Sequence, residues 1–444
     1  MQDADAYGRC RETQHCRIDL LLQPFSSIGN LLHIADDRHH SSQWLHSLNA
    51  STRHRISCAS NISNVLLDAT VYDVVVDDCN EHDSVREHVK ELWSVVKPSG
   101  TFLFRMAASE DAPPSHLVHD VRAWISTLAE RMTLGGGFLH HHYMGSLTAS
   151  HRAAAAESRR RAPLPHMTSM IFCEMGGCAL TKVGECDCAP GKDLVACSHR
   201  HDKMSCEASR RGADTRSLGR VALAQHPVCD KIGTAGYTSM YGALITPLAR
   251  AAASAAGRFK LLEIGLGCDQ SYGPGASVKL WQKHFPKELE LWEGEYDEAC
   301  VQKARARGQL QGVNTVTGDQ GNLTVLRRWL NETQGSFDAV IDDGGHRNSL
   351  IAASFEELWP AVAPNGIYFI EDMHVGRTSH YEDTFGRTII ADAVRNWLPQ
   401  LMAIDTSGNA TGSRAGFHKL PRGTAFILCS GRSCAVGKRG HRKE

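Results

Sequence analysis

Phe337 to Ile370 reads FDAVIDDGGHRNSLIAASFEELWPAVAPNGIYFI, and Tyr72 to Phe104 reads YDVVVDDCNEHDSVREHVKELWSVVKPSGTFLF. In both, an apolar run of strand length ends in an Asp doublet, a helix-length stretch closes on Leu-Trp, and Pro and Gly precede a second apolar run. Strand, helix and parallel strand form the repeating unit of an open α/β sheet. Two such units predict two Rossmann-like α/β domains in tandem. The copies differ at the carboxyl ends of their strands, where this architecture binds ligands. Asp342-Asp343-Gly344-Gly345-His346 and Glu371-Asp372 in the second face Asp77-Asp78-Cys79-Asn80-Glu81 and Arg105-Met106 in the first. The second copy is expected to hold the chemistry, and the first to be degenerate.

Further anchors support the repeat. Ile171 to Lys182 (IFCEMGGCALTK) matches Ile427 to Lys438 (ILCSGRSCAVGK) with both cysteines in register, and Asn30 to Ala35 (NLLHIA) lies against Lys260 to Gly265 (KLLEIG). The interval from Ile34 to Tyr72 is far shorter than that from Ile264 to Phe337, a shortfall of about one strand plus one helix. The expected division is a tail over 1–19, a degenerate domain over 20–183, a Cys-, Arg- and Gly-rich linker over 184–229, the second domain over 230–438 and a basic tail over 439–444.

Composition sets the outer limits. A chain of 444 residues that is 42% hydrophobic can bury two cores. Net charge of -1 and a pI near 7.1 argue against a nucleic-acid or membrane-surface partner. There is no apolar run of roughly 18 residues, and the polar start MQDADAYGRC reads as no secretory signal, so a cytoplasmic location is the default. An oligomer is left open. Five sequons, at Asn49, Asn61, Asn322, Asn331 and Asn409, pull the other way but are commonly unused.

Of the 15 cysteines, Cys173 with Cys178 and Cys429 with Cys434 fall in hairpin-like segments where a strand pair could bring their sulfurs together. Cys186, Cys188, Cys197, His199, His201 and Cys206 could gather zinc, form disulfides or stay free; their spacing is irregular and lacks a CxxC pair. His140-His141-His142 reads as an exposed loop.

Gly257 to Gln270, GRFKLLEIGLGCDQ, is an apolar burst ending in an acid and a glycine turn. Gly265 and Gly267 let backbone approach a ligand without a Cβ in the way. A dinucleotide fingerprint needs a third glycine where Gln270 stands. A cofactor without a phosphate fits better, and S-adenosylmethionine is the obvious one: Glu263 offers an acid to its cationic groups. Glu295 closes the next strand where nucleoside-binding folds take ribose hydroxyls, although Asp297 is close enough to compete. Asp319 and Gln320 follow a third strand, where an adenine amino group needs an acceptor. Asp342 is grouped with these cofactor positions. Asp343, Glu371 and Asp372 end two further strands, and three hard oxygen donors without a thiolate suit Mg²⁺. The rival reading has Asp342 and Asp343 capping the following helix or holding the turn glycines. His346 stands in the same loop, and an imidazole is the natural base for a hydroxyl near neutral pH; His374 is second in line.

These residues resemble a known family. DKIGTAGYTSMYG (Asp230 to Gly242), LLEIGLG (Leu261 to Gly267), GPGASVKLW (Gly273 to Trp281), GDQ (Gly318 to Gln320), DDGGH (Asp342 to His346) and IEDMH (Ile370 to His374) together look like the macrocin-type sugar O-methyltransferases. Those are magnesium-dependent members of the class I S-adenosylmethionine methyltransferases. The resemblance implies that Asp343, Glu371 and Asp372 carry Mg²⁺, that His346 is the base, and that Glu263, Glu295 and Asp319 hold the cofactor. Tyr237 and the Gly273 to Ser277 loop, with Ser277, would line its methionine end. The activity implied is methyl transfer to a hydroxyl of a small-molecule or glycosidic acceptor, a sugar or other diol. Two rivals stand beside it: a non-catalytic cofactor-binding or scaffold protein of the same fold, and a metal-dependent oxygenase, which would need a second imidazole that only His374 supplies.

Overall fold

The computed structural model describes residues 28–35, 50–58, 70–79, 82–105, 168–174 and 177–182 of the first half. In the second half it describes 237–285, 289–373, 375–377, 389–402, 419–430 and 432–440, with short pieces at 65, 120–121, 123–125, 164–165, 218, 221, 231 and 381. The linker cysteines, His140 to His142 and His374 lie outside the described residues.

Among the described residues, six strands come from the first half: β1 (Ile28–Ile34), β2 (Ala50–Ile56), β3 (Tyr72–Asp77), β4 (Val96–Arg105), β5 (Thr168–Glu174) and β6 (Gly177–Lys182). Seven come from the second: β7 (Phe259–Ile264), β8 (Leu289–Glu295), β9 (Asn314–Thr317), β10 (Phe337–Asp342), β11 (Val362–Ile370), β12 (Thr424–Ser430) and β13 (Cys434–Lys438). The described residues of the first half thus carry one strand fewer. All thirteen join one sheet, in the order β2-β1-β3-β4-β6-β5-β12-β13-β11-β10-β7-β8-β9. Each half is a parallel core, β2-β1-β3-β4 or β11-β10-β7-β8-β9, finished by an antiparallel hairpin. The hairpins meet where β5 pairs with β12, and Phe172 stacks on Phe426 across that seam.

Helices cover both faces, as a parallel sheet requires. Helix α1 (His82–Leu92) follows β3; α2 (Tyr237–Ala256) precedes β7; α3 (Ala276–His284), α4 (Glu298–Ala306), α5 (Leu323–Thr333), α6 (Asn348–Leu358) and α7 (Ile390–Met402) alternate with or follow the strands of the second half. One face buries α1, α5, α6 and α7, the other α2, α3 and α4, and each apolar layer runs through both halves. No described helix is long and apolar enough to cross a membrane.

Small contacts recur from half to half. Asp73 accepts the amide of Asn30 at 2.8 Å, and Asp338 accepts that of Lys260 at 2.8 Å. Lys182 donates to the carbonyls of Trp93 and Val96 and lies over the Trp93 ring; Lys438 donates to those of Trp359, Pro360 and Val362 and lies over Trp359. A disulfide closes each hairpin, Cys173–Cys178 and Cys429–Cys434. Their cysteines are direct cross-strand partners in both.

Candidate active site

The carboxyl ends of β7, β8, β9, β10 and β11 lie along one edge of the sheet because these strands are mutually parallel. The turn leaving β7 needs its glycines. Gly265 has φ +107°, and a Cβ there would lie 2.3 Å from the carbonyl oxygen of Asp343. Glu295 braces this turn, accepting the amide of Leu266 at 3.0 Å and that of Asp297 at 2.9 Å. Asp297 itself caps α4 by accepting the Cys300 amide. A disulfide from Cys268, just past Gly267, to Cys300 ties the glycine turn to the start of α4.

Behind the turn lies a buried charge cluster. The Lys231 ammonium reaches Asp343 Oδ2 at 2.7 Å, Glu371 Oε1 at 2.9 Å and Glu263 Oε1 at 3.3 Å. Lys231 is 2% exposed and Glu263 0%. Burial opposes the charge on Lys231, but Asp343, Glu371 and Glu263 together hold its pKa well above the ordinary lysine range. Tyr241 of α2 donates its hydroxyl to the same Glu371 oxygen, and Trp281 of α3 donates to Glu263 Oε2 at 3.0 Å. Glu293, the cross-strand neighbour of Glu263, is also fully buried. Burial first, and the Glu263 charge second, push its pKa well above the usual carboxylate range.

On the open side, one ligand atom each from Asp343, His346 and Asp372 falls within 4.8 Å of the others. His346 Nε2 stands 3.7 Å from Asp372 Oδ2, and its buried Nδ1 has no hydrogen-bond partner. His346 and Asp372 both hold positive φ, +53° and +49°. Such backbone is uncommon outside glycine and clusters at functional sites. Two carboxylates and an imidazole, half-buried and mutually close, form a donor set that fits a hard or borderline divalent cation.

The predicted residues therefore divide. Asp343 and Asp372 come together with His346, whereas the Glu371 carboxylate turns inward to Lys231 and Tyr241. Asp342 and Gln320 meet each other at 3.0 Å inside the fold, where Asp342 also accepts from Ser354 and, at 3.0 Å, from Tyr368. Burial, the largest effect, pushes the Asp342 pKa up despite those donors. Gln320 accepts the Gly345 amide at 2.8 Å, and a Cβ on Gly344 would fall 1.8 Å from its oxygen. Asp342 and Gln320 thus hold the DDGGH loop from below. Asp319 is exposed at the edge and accepts the amide of Gly321. Ser277 is buried at the start of α3, and Tyr237 begins α2. Lys231, Tyr241 and Trp281 all lie in the motifs quoted above, but no role for them was readable. A lone lysine ahead of an apolar helix carries no local signal of its acidic partners, which arrive from three other strands.

Comparison with known proteins finds related sequences and folds. The chain is 37% identical over 116 residues to the mycinamicin VI 2''-O-methyltransferase of Micromonospora griseorubida, covering 26% of this chain and 27% of that one. It is 32% identical over 163 residues to an 8-demethyl-8-alpha-L-rhamnosyl tetracenomycin-C 2'-O-methyltransferase of Streptomyces olivaceus, 36% and 39% of the two chains. It is 36% identical over 116 residues to the demethylmacrocin O-methyltransferase of Streptomyces fradiae. The chain resembles the class I sugar O-methyltransferases. It spans only 27 to 39% of the length of these relatives. No family model matches it. A solved structure of the MycE methyltransferase from the mycinamycin biosynthetic pathway, in complex with Mg, SAH and mycinamycin VI, aligns with 57% of this chain and 60% of its own at 22% identity and a TM-score of 0.38.

Proposed function

We propose that this chain is an S-adenosylmethionine-dependent O-methyltransferase acting on a hydroxyl of a small-molecule or glycosidic acceptor, with a divalent cation and His346 as base. The observation that carries this reading is the convergence of Asp343, His346 and Asp372 beside a glycine turn whose acids are already fixed. S-adenosylmethionine supplies a methyl already activated as a sulfonium, and a divalent cation supplies Lewis acidity toward the acceptor. Asp343 and Asp372 would hold the cation, with Glu371 as third carboxylate. Glu263 and the Gly265 to Gly267 turn would face the cofactor's methionine end, and Glu295 its ribose.

The chain's own residues have two tasks. Alignment of an oxygen behind the methyl can be worth about 7 to 11 kcal/mol when near-attack geometry is enforced. The rigid turn at Gly265 and the packed DDGGH loop serve that end. Removal of the hydroxyl proton falls to His346 Nε2, which Asp372 orients and whose positive charge it would balance once the proton has moved.

The recurrent contacts of Asp73 and Asp338, and of Lys182 and Lys438, favour descent of both halves from one duplicated unit. We read residues 20–183 as the copy that lost its chemistry, 230–438 as the working one and 184–229 as the linker. The four disulfides among the described residues fit an oxidising compartment better than the cytoplasmic default.

The test is calorimetric titration of S-adenosylmethionine with and without Mg²⁺, followed by transfer of a labelled methyl group to a panel of sugars and diols. Binding at one site per chain and chelator-sensitive labelling are expected. Failure to bind the cofactor under either condition would sink the reading.

A further inference from the structure

Lys231 meets acids from three separate strands: Glu263 of β7, Asp343 at the end of β10 and Glu371 at the end of β11. Without it, these carboxylates would stand together in a site of low dielectric with no cation among them, which leaves buried charge uncompensated. Two of its partners, Asp343 and Glu371, belong to the set proposed above for the metal. The oxygen of Glu371 that it touches also accepts from Tyr241. A cation approaching from the open side meets Asp343, His346 and Asp372 first, and finds Glu371 engaged by the ammonium and the phenol.

We propose that Lys231 is a positioning residue that serves as the resident cation of this cluster, and that a divalent metal must displace it from Asp343 and Glu371 to complete its ligand set. An ammonium and a divalent cation want the same carboxylate oxygens, so they compete. Lysine suits the part: its charge is a compact point on a flexible four-carbon stem, able to withdraw along its own length while the backbone stays. The lysine thereby keeps the acids converged in the empty protein and limits how tightly the metal is held. This inference rests on the metal reading above.

The experiment is titration of Mn²⁺, followed by calorimetry and by the loss of the free-ion paramagnetic signal, in the wild-type full chain and in Lys231→Met, Lys231→Arg and Asp372→Asn. Lys231→Met should bind Mn²⁺ about tenfold tighter or more, because a positive charge within hydrogen-bond distance of two ligands is gone. Its metal-free form should melt below wild type and rise further on adding Mn²⁺. Lys231→Arg, which keeps the charge, should stay within about threefold of wild type. A lysine that merely supported the fold would give weaker Mn²⁺ binding when removed. A folded Lys231→Met that binds Mn²⁺ no tighter than wild type overturns the proposal while leaving the metal site standing. Mn²⁺ binding that Asp372→Asn does not weaken overturns the metal site and this inference together. Should Lys231→Met fail to fold, Lys231→Gln carries the same expectation.

Discussion

At the same place in the sheet, the two halves put opposite chemistry. The backbone hydrogen bonds are shared: Gly265 donates to Gly294 as Ala35 does to Ile56, and Asp343 donates to Ile264 as Asp78 does to Ile34. By strand register, Glu263 and Glu293 of the second half correspond to His33 and Arg55 of the first, so two acids face two bases. Glu295 corresponds to Ser57, and Gly265 to Ala35 with its Cβ. His33 Nε2 faces Asp78 Oδ2 directly at 4.0 Å, while His88 pairs with Asp77 at 2.8 Å. Finally, the Cys58–Cys79 disulfide ties the end of β2 to the end of β3, spanning β1, which lies between them. By register its cysteines stand where the other half has Tyr296 and Gly344. A sheet therefore keeps its hydrogen-bonding frame while the side chains at its carboxyl edge change, because frame and edge use different atoms.

The sharpest way to break this contrast is to neutralise matched acids. Asp343→Asn and Asp372→Asn should each lower kcat by about a thousandfold or more, the loss of a Lewis acid's several kcal/mol. Asp78→Asn, its first-half counterpart, should leave kcat within about threefold; a large loss there would mean the first half takes part in the chemistry.

His346→Ala should lower kcat by about 10² to 10⁴ with cofactor affinity nearly unchanged, and the loss should shrink as pH rises and hydroxide replaces the base. Parallel pH profiles for mutant and wild type would place the base elsewhere.

Making the second half resemble the first at one atom is a gentler probe. Gly265→Ala adds a Cβ that must push against the Asp343 carbonyl, and S-adenosylmethionine affinity should fall by about tenfold or more. The converse change, Ala35→Gly, should leave titration stoichiometry at one; a second cofactor per chain would show that the first half is only blocked, not lost.

The smallest effect concerns stability. Burial and the neighbouring Glu263 push the Glu293 pKa up in the folded protein, whereas the unfolded chain releases this proton above about pH 4.3. Its contribution is therefore full below that pH and falls away as pH climbs toward the raised folded value. Glu293→Gln should remove this fall, gaining about 1 to 3 kcal/mol at pH 8 and nothing near pH 4. Thermal melts across that range measure it, and a destabilised Gln variant at pH 8 would mean that the carboxylate is ionised and paired.

Strands β7, β10 and β11 were legible because each ends in an apolar run closed by an acid or a glycine. Their carboxyl-edge residues followed at once. What could not be read is which member of an acidic pair faces outward. In Asp342-Asp343 and Glu371-Asp372 the first residue turns inward and the second reaches the open side, an orientation set by the turns that follow β10 and β11, which composition does not show. Lys231 and Tyr241 escaped for a related reason, since their partners are far off in sequence. The union of both halves in one sheet was equally hidden, because the pairing of Phe172 with Leu428 leaves no local signature.

That seam has a consequence for assembly. An unpaired edge strand is an invitation to any passing chain, and β5 and β12 answer it for each other. Because both belong to one polypeptide, their encounter is governed by a tether rather than by concentration, and dilution cannot part them. The first half thus acts as a permanently attached neighbour, covering the strand at the margin of the second.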